Sequence, residues 1–224
     1  MKIEGNQETY TLVLNQPDYL DPGYVGHALT NGRNAWRLES RSVFDWNLDE
    51  RVNGVILLGS VENPLDPSSN LRVKELRFIE ELLKREVPLF AVCYGAQLLA
   101  QCLSAKVFEL SETGFGFRTV EFGDNRLPSG PQFFWHHYAF ECPVEASVLA
   151  ARGSACDAFV YDKSLAVQFH PDATPEILDT WMTAGSSEVI SLKANTDDQL
   201  RTARENKRYS EDFMNAALRM VKSL

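Results

Sequence analysis

Between residues 10 and 103, short apolar runs alternate with helical patterns, and that order constrains the fold of this 224-residue chain more than any other feature. Residues 10–14 and 36–40 suit strands, and between them 21–29 reads as a helix that Gly32 ends. Residues 55–58 (Val-Ile-Leu-Leu) are apolar throughout, as a strand covered on both faces must be, so this strand is central. Val73, Leu76, Ile79 and Leu83 keep helical spacing and predict an amphipathic helix over about 70–85. Leu89, Phe90, Ala91 and Val92 form the next strand, and 97–103 reads as the helix after it. A β-α-β-α-β order with parallel crossovers predicts an α/β fold with a doubly wound, mostly parallel sheet.

After Leu103 the texture changes to short strands at 106–110, 117–122, 132–135, 147–151, 158–161 and 165–168. Turn residues such as Gly123-Asp124-Asn125 and Pro128-Ser129-Gly130 separate them, which predicts antiparallel additions to the sheet. Thr174-Pro175-Glu176 opens a helix that Gly185 closes, and 186–196 reads as a connector. Thr196 with Gln199 suits a capping box, and Phe213, Ala217, Met220 or Val221, and Leu224 give the stripe of a C-terminal helix at about 196–224. The length suits one domain over 1–224.

With 44% apolar residues the chain is globular, and a net charge of −9 opposes binding to nucleic acid or an anionic membrane. No apolar run is long enough to span a bilayer, and residues 1–8 are too polar for a signal peptide, so a cytoplasmic protein is expected. Cys93, Cys102, Cys142 and Cys156 show none of the close pairs of zinc sites or disulfide frameworks, and all should be reduced.

Cys93 stands where the strand at 89–92 turns into a helix. Such a turn lifts the side chain above the sheet edge and aims free helical N–H groups at it, which favours a thiolate. Gly95 leaves room for the tight elbow. The plainer reading is a small buried hydrophobe. Downstream, the run Leu165-Ala166-Val167-Gln168-Phe169 ends in His170, with Asp172 two positions on. That spacing lets a carboxylate hold the imidazole in one tautomer while the other nitrogen faces a thiol.

Taken together, Ala91-Val92-Cys93-Tyr94-Gly95-Ala96-Gln97 and Gln168-Phe169-His170-Pro171-Asp172 resemble the class I glutamine amidotransferase family, whose motifs read Gly-x-Cys-x-Gly-x-Gln and Gln-Phe-His-Pro-Glu. Gly54-Val55-Ile56-Leu57-Leu58-Gly59-Ser60 resembles the family's strand and Gly-rich turn. The likeness covers roughly residues 10–185. Three departures stand out: Ala91 for the usual first glycine, Asp172 for glutamate, and Ser60 where a second glycine is common. The resemblance implies a flavodoxin-like fold and a Cys93-His170-Asp172 triad. It also implies an oxyanion hole from backbone N–H groups at Gly59 or Ser60 and at Tyr94, with Gln97 completing the elbow motif. The implied reaction is hydrolysis of the amide of glutamine or a γ-glutamyl compound, with ammonia passed to a synthetase partner.

In the same resemblance, Trp135-His136-His137-Tyr138 corresponds to a Trp-His-Gly-Asp-type segment bordering the substrate pocket, so His136, His137 and Tyr138 are candidate binding residues. Tyr138 replaces the acid that would hold the α-amine, so free glutamine is expected to be a poor substrate for the isolated chain, and either a partner completes the pocket or the true substrate lacks a free α-amine. Adjacent histidines on a strand face opposite ways, and no ligand cluster accompanies them, so no metal is expected. Gly114-Phe115-Gly116-Phe117 lacks a third glycine and a following helix, and no phosphate-binding loop occurs, so no cofactor is expected. Glu176 competes with Asp172 as the orienting acid, although a carboxylate in a first helical turn is sufficiently explained by the helix dipole. The rival functions are a γ-glutamyl peptidase, a specialised transferase on another amide, or a non-catalytic regulatory relative. An intact Cys93 and His170 count against the last.

Overall fold

A computed structural model describes residues 9–16 and 21–224. The polar segment 1–8, read above as no signal peptide, lies outside the described residues. The elements run β1 (Tyr10–Asn15), α1 (Gly23–Asn31), β2 (Trp36–Ser40), β3 (Val52–Leu57), α2 (Asn70–Lys84), β4 (Leu89–Val92) and α3 (Tyr94–Cys102). They continue through β5 (Val107–Val120), β6 (Gly130–Phe140), β7 (Ser147–Arg152), β8 (Ala155–Tyr161) and β9 (Ser164–Val167), and close with α4 (Pro175–Ala184), α5 (Ser186–Ser191), α6 (Thr196–Glu205) and α7 (Lys207–Ser223).

One sheet has the order β2-β1-β3-β4-β9-β8-β7. Its first five strands pair in parallel, and β8 and β7 extend it antiparallel. The mostly parallel α/β architecture expected from the sequence is therefore present. Successive residues of a strand point to opposite faces. Val13, Ile56, Phe90, Val92, Leu165 and Val167 accordingly pack with α1 and α7, while Leu12, Leu14, Val55, Leu57, Leu89 and Ala91 pack with α2 and α3. Covering on both faces is why the central strands lack polar alternation. No helix among the described residues is long and apolar enough to cross a membrane.

The structure corrects four expectations. Residues 106–110 and 117–122 belong to one strand, β5, which pairs with β6 as a ribbon separate from the main sheet. The polar, glycine-containing stretch between them reads as a break, but only residues 110–113 leave the ladder, as a bulge opposite His137. Residues 186–191, expected as connector, form α5, a helix too short to show an apolar stripe, with Val189 its buried residue. Asn195, not Thr196, caps α6 by accepting from the Asp198 N–H, and Gln199 instead accepts from the N–H of Phe117. The C-terminal helix is two, broken at Asn206, which ends α6 and precedes α7.

Candidate active site

The carboxyl ends of β3, β4 and β9 meet at one edge of the sheet, where open α/β sheets place their sites. α3 begins immediately after Cys93, three residues earlier than the sequence suggested. Cys93 holds φ +50 and ψ −108, a backbone state disfavoured for a residue with a Cβ. Its N–H is pinned to the Val167 carbonyl at 2.8 Å, and Gln97 N–H binds the Cys93 carbonyl at 2.9 Å. No side chain caps α3, so its first N–H groups stay open toward the site. Gly95 is required because a Cβ there would lie 2.4 Å from the Leu57 carbonyl oxygen.

His170 follows β9, and its N–H is held by the Phe133 carbonyl of β6 at 2.7 Å. Gly59 separates it from the nucleophile: a Cβ on Gly59 would come 2.7 Å from His170 Cε1 and 3.6 Å from Cys93 Cβ. Any larger residue would wedge the pair apart. His170 Nδ1 lies 3.4 Å from Asp172 Oδ1, both side chains buried. Neither atom has a well-aligned hydrogen bond among the described residues, as expected when aspartate stands in for the longer glutamate. Burial alone would lower the His170 pKa, but the Cys93 charge, and after it Asp172, outweigh burial and raise it to about 10. Glu176 is exposed in the first turn of α4, where backbone N–H and Thr174 hold its carboxyl below the usual range. The structure thus brings Asp172, and not Glu176, to His170.

Gln97 and Gln168, both buried, link the nucleophile to the ribbon. The Gln97 amide donates to the Tyr138 carbonyl at 2.8 Å and to Gln168 at 3.3 Å, and the Gln168 amide donates to Cys93 Sγ at 3.5 Å. The sequence reading quoted Gln168 only as part of a motif. His136 Nδ1 also reaches the Tyr138 carbonyl, at 2.8 Å. A carbonyl can only accept, so Nδ1 carries the proton, and burial, helped by the nearby His170 charge, lowers the pKa to about 4 and keeps the ring neutral. His137 points the other way, half exposed, with Nε2 2.6 Å from Glu188. The two histidines do not converge, and no group of three His, Cys, Asp or Glu among the described residues could hold a metal ion.

Beneath the oxyanion candidates lies a polar cluster the sequence did not signal. Arg41 and Glu75 are almost fully buried and paired at 2.6 Å. Arg41 Nη2 donates to the Leu58 carbonyl at 2.5 Å and to that of Gly59 at 3.5 Å, and Tyr94 OH donates to Glu75 at 2.8 Å. Across a planar trans peptide the N–H points opposite to the C=O. Holding these carbonyls therefore turns the Gly59 and Ser60 N–H groups away from Arg41. Gly59 and Ser60 line the same cleft, of about 340 Å³, as Cys93, Gln97, His136, His137, Tyr138, His170 and Asp172. Tyr94 alone among the candidates does not line the cleft; its side chain enters the core and bonds Glu75.

The family model of class-I glutamine amidotransferases matches residues 30–186. The chain belongs to that family. It is 27% identical over 143 residues to the imidazole glycerol phosphate synthase subunit HisH of Dehalococcoides mccartyi, covering 52% of this chain and 70% of that one. A glutamine-hydrolysing GMP synthase of Aeropyrum pernix is 31% identical over 147 residues, 59% of this chain but only 28% of the synthase. Among solved structures, a glutamine amidotransferase of Thermotoga maritima has the same fold, with TM-score 0.86 at 23% identity, over 97% of this chain and 100% of that chain. One from Methylobacillus flagellatus superposes with TM-score 0.80 at 16% identity, over 95% of each. The family resemblance read from the two motifs is thereby borne out. Set against the family pattern, Ala91 is fully buried in the core.

Proposed function

We propose that this chain is a thiol amidohydrolase that cleaves the side-chain amide of glutamine or a γ-glutamyl compound. Cys93 is the nucleophile, His170 the proton carrier and Asp172 the group that orients the imidazole. The observation that carries this reading is the meeting of Cys93 and His170 on either side of Gly59, with His170 Nδ1 3.4 Å from Asp172 Oδ1. The thiolate attacks the amide carbon, and N–H groups of Gly59 or Ser60 and of Tyr94 receive the oxyanion. Forming the thioester removes the charge that held the proton on His170, so burial then favours its release to the departing ammonia. Neutral His170 next takes a proton from water as the hydroxide attacks the thioester, and the acid and the thiolate are regenerated.

The relatives, an imidazole glycerol phosphate synthase subunit and a glutamine-hydrolysing GMP synthase, support glutamine as the amide and a synthetase as the acceptor of ammonia. The test is ammonia release from glutamine and γ-glutamyl amides, with and without candidate acceptor enzymes, for the native chain and Cys93→Ala. Release that depends on Cys93 supports the reading. Release that persists in Cys93→Ala, or none from any amide under either condition, overturns it.

A further inference from the structure

Tyr138 occupies the position where the family resemblance places an acid, which leaves the α-ammonium of an amino-acid substrate without a counter-charge. Besides Asp172, which faces His170, the cleft is lined by two carboxylates, Glu62 and Glu188. Glu62 is exposed on the loop after β3. Glu188 is held in place. Its Oε1 accepts from His137 Nε2 at 2.6 Å and from Thr113 Oγ1 at 3.2 Å, and its Oε2 accepts from Trp135 Nε1 at 3.2 Å. All three donors come from the β5–β6 ribbon: Thr113 from its bulge, His137 from opposite that bulge. A carboxylate offers about four acceptor sites. The three named donors therefore leave room on Oε2 for one more.

Trp135 sets the span. Its backbone carbonyl lies 3.9 Å from Cys93 Sγ, while its indole N–H binds Glu188. One tryptophan thus touches both the nucleophile and the carboxylate, which line the same cleft. Gly185 fixes the ring, since a Cβ there would lie 2.8 Å from Trp135 Cη2.

We propose that Glu188, carried by α5, is the specificity residue that binds the α-ammonium of the substrate and takes over the role of the acid that Tyr138 replaces. The proposal rests on the amidohydrolase reading above and assigns the substrate class as γ-carboxamides bearing a free α-amine.

The test compares alkylation of Cys93 by the chloromethyl ketone analogue of L-glutamine and by its desamino counterpart. In each case the thiolate displaces chloride and a thioether forms, so neither turnover nor a partner is needed. The native chain is expected to react about ten- to a hundredfold faster with the amine-bearing reagent, the value of one charge-assisted hydrogen bond. Glu188→Gln is expected to bring that ratio close to one, and Glu62→Gln to leave it. A merely structural role for Glu188 slows both reagents alike and keeps the ratio, which overturns the proposal. So does a native chain with no preference, or a ratio that collapses in Glu62→Gln. Failure of both reagents to modify Cys93 is a separate result, and it removes the amidohydrolase reading together with this one.

Discussion

Replacing Arg41 with methionine separates the buried cluster's part in stability from its part at the site. The change removes the cation from a carboxylate with no solvent exposure and leaves Glu75 paired with the Tyr94 hydroxyl at 2.8 Å. Stranding one member of a buried pair costs about 3–5 kcal/mol, a large part of the roughly 5–15 kcal/mol by which domains are stable. Burial already raises the Glu75 pKa despite Arg41, and without the cation it rises further. A carboxyl whose folded pKa is raised stabilises less as pH climbs above its unfolded value, so the deficit of Arg41→Met should shrink as pH falls toward about 4.3. The triple change Arg41→Met, Glu75→Leu, Tyr94→Phe removes the stranded carboxylate and its hydroxyl partner and, although the Leu58 and Gly59 carbonyls lose Arg41, should recover most of the stability. Urea midpoints at constant slope measure each step. A loss under about 1 kcal/mol for Arg41→Met, or a triple variant no more stable than the single, would refute the reasoning. The triple variant no longer holds the Leu58 and Gly59 carbonyls, so its kcat on any accepted amide should fall by about a hundredfold, the usual worth of an oxyanion donor. Native kcat in a stable triple variant would mean that the clamp does not orient those peptides.

Three further outcomes follow from the site. Iodoacetamide at neutral pH should label Cys93 first, because burial pushes the Cys102 thiol up to about 12 and the Cys156 thiol higher still; equal labelling of all four cysteines would remove the basis for the mechanism. Asp172→Asn should lower turnover by orders of magnitude through lost tautomer control, and the exposed Glu176→Gln should change it little; the reverse ranking would move the role to Glu176. His136 is neutral in the fold down to a pKa of about 4 against 6.5 unfolded. The unfolded chain therefore binds the extra proton between those values, and His136 should account for a stability loss of at most about 3 kcal/mol as pH falls from 7 to 4, at about 1.4 kcal/mol per unit. Denaturation of native and His136→Gln chains across that range would show it as a difference in slope, and equal slopes would rule it out.

What the sequence disclosed, it disclosed through local patterns. Apolar runs such as 55–58 and 89–92 are strands because both faces are covered, and that requirement is written directly into their composition. Cys93, Gly95 and Gln97 are tied to one turn, and His170 and Asp172 to another, so each cluster could be seen as a motif. Contacts made across long separations were not legible. Arg41 and Glu75 each look like ordinary surface charges, one after a strand and one on an amphipathic helix. Their burial depends on how α2 lies against the sheet, which no window of residues contains. The same holds for β5, where ladder pairing with β6 overrides a stretch whose own propensity argues for a break.

Glu188 shows where that limit bears on function. Read locally, Ser186-Ser187-Glu188 is a polar connector, since a helix of six residues has no room for a repeating stripe. Its carboxylate becomes part of the site because three donors from a bulged ribbon, more than fifty residues upstream, converge on it. The motifs hold Cys93 and His170 to the carboxyl edge of the parallel sheet, as the chemistry requires of any amide. On the reading proposed above, which amide is accepted falls to the ribbon and α5, tied to each other through Glu188 and to the site through Gln97 and the His170 N–H. If that reading holds, changes at Tyr138, Thr113 or Glu188 should alter the preferred amide while leaving Cys93 and His170 in place. In this chain Tyr138 stands where the family resemblance places an acid, and the ribbon holds a carboxylate, Glu188, carried by α5.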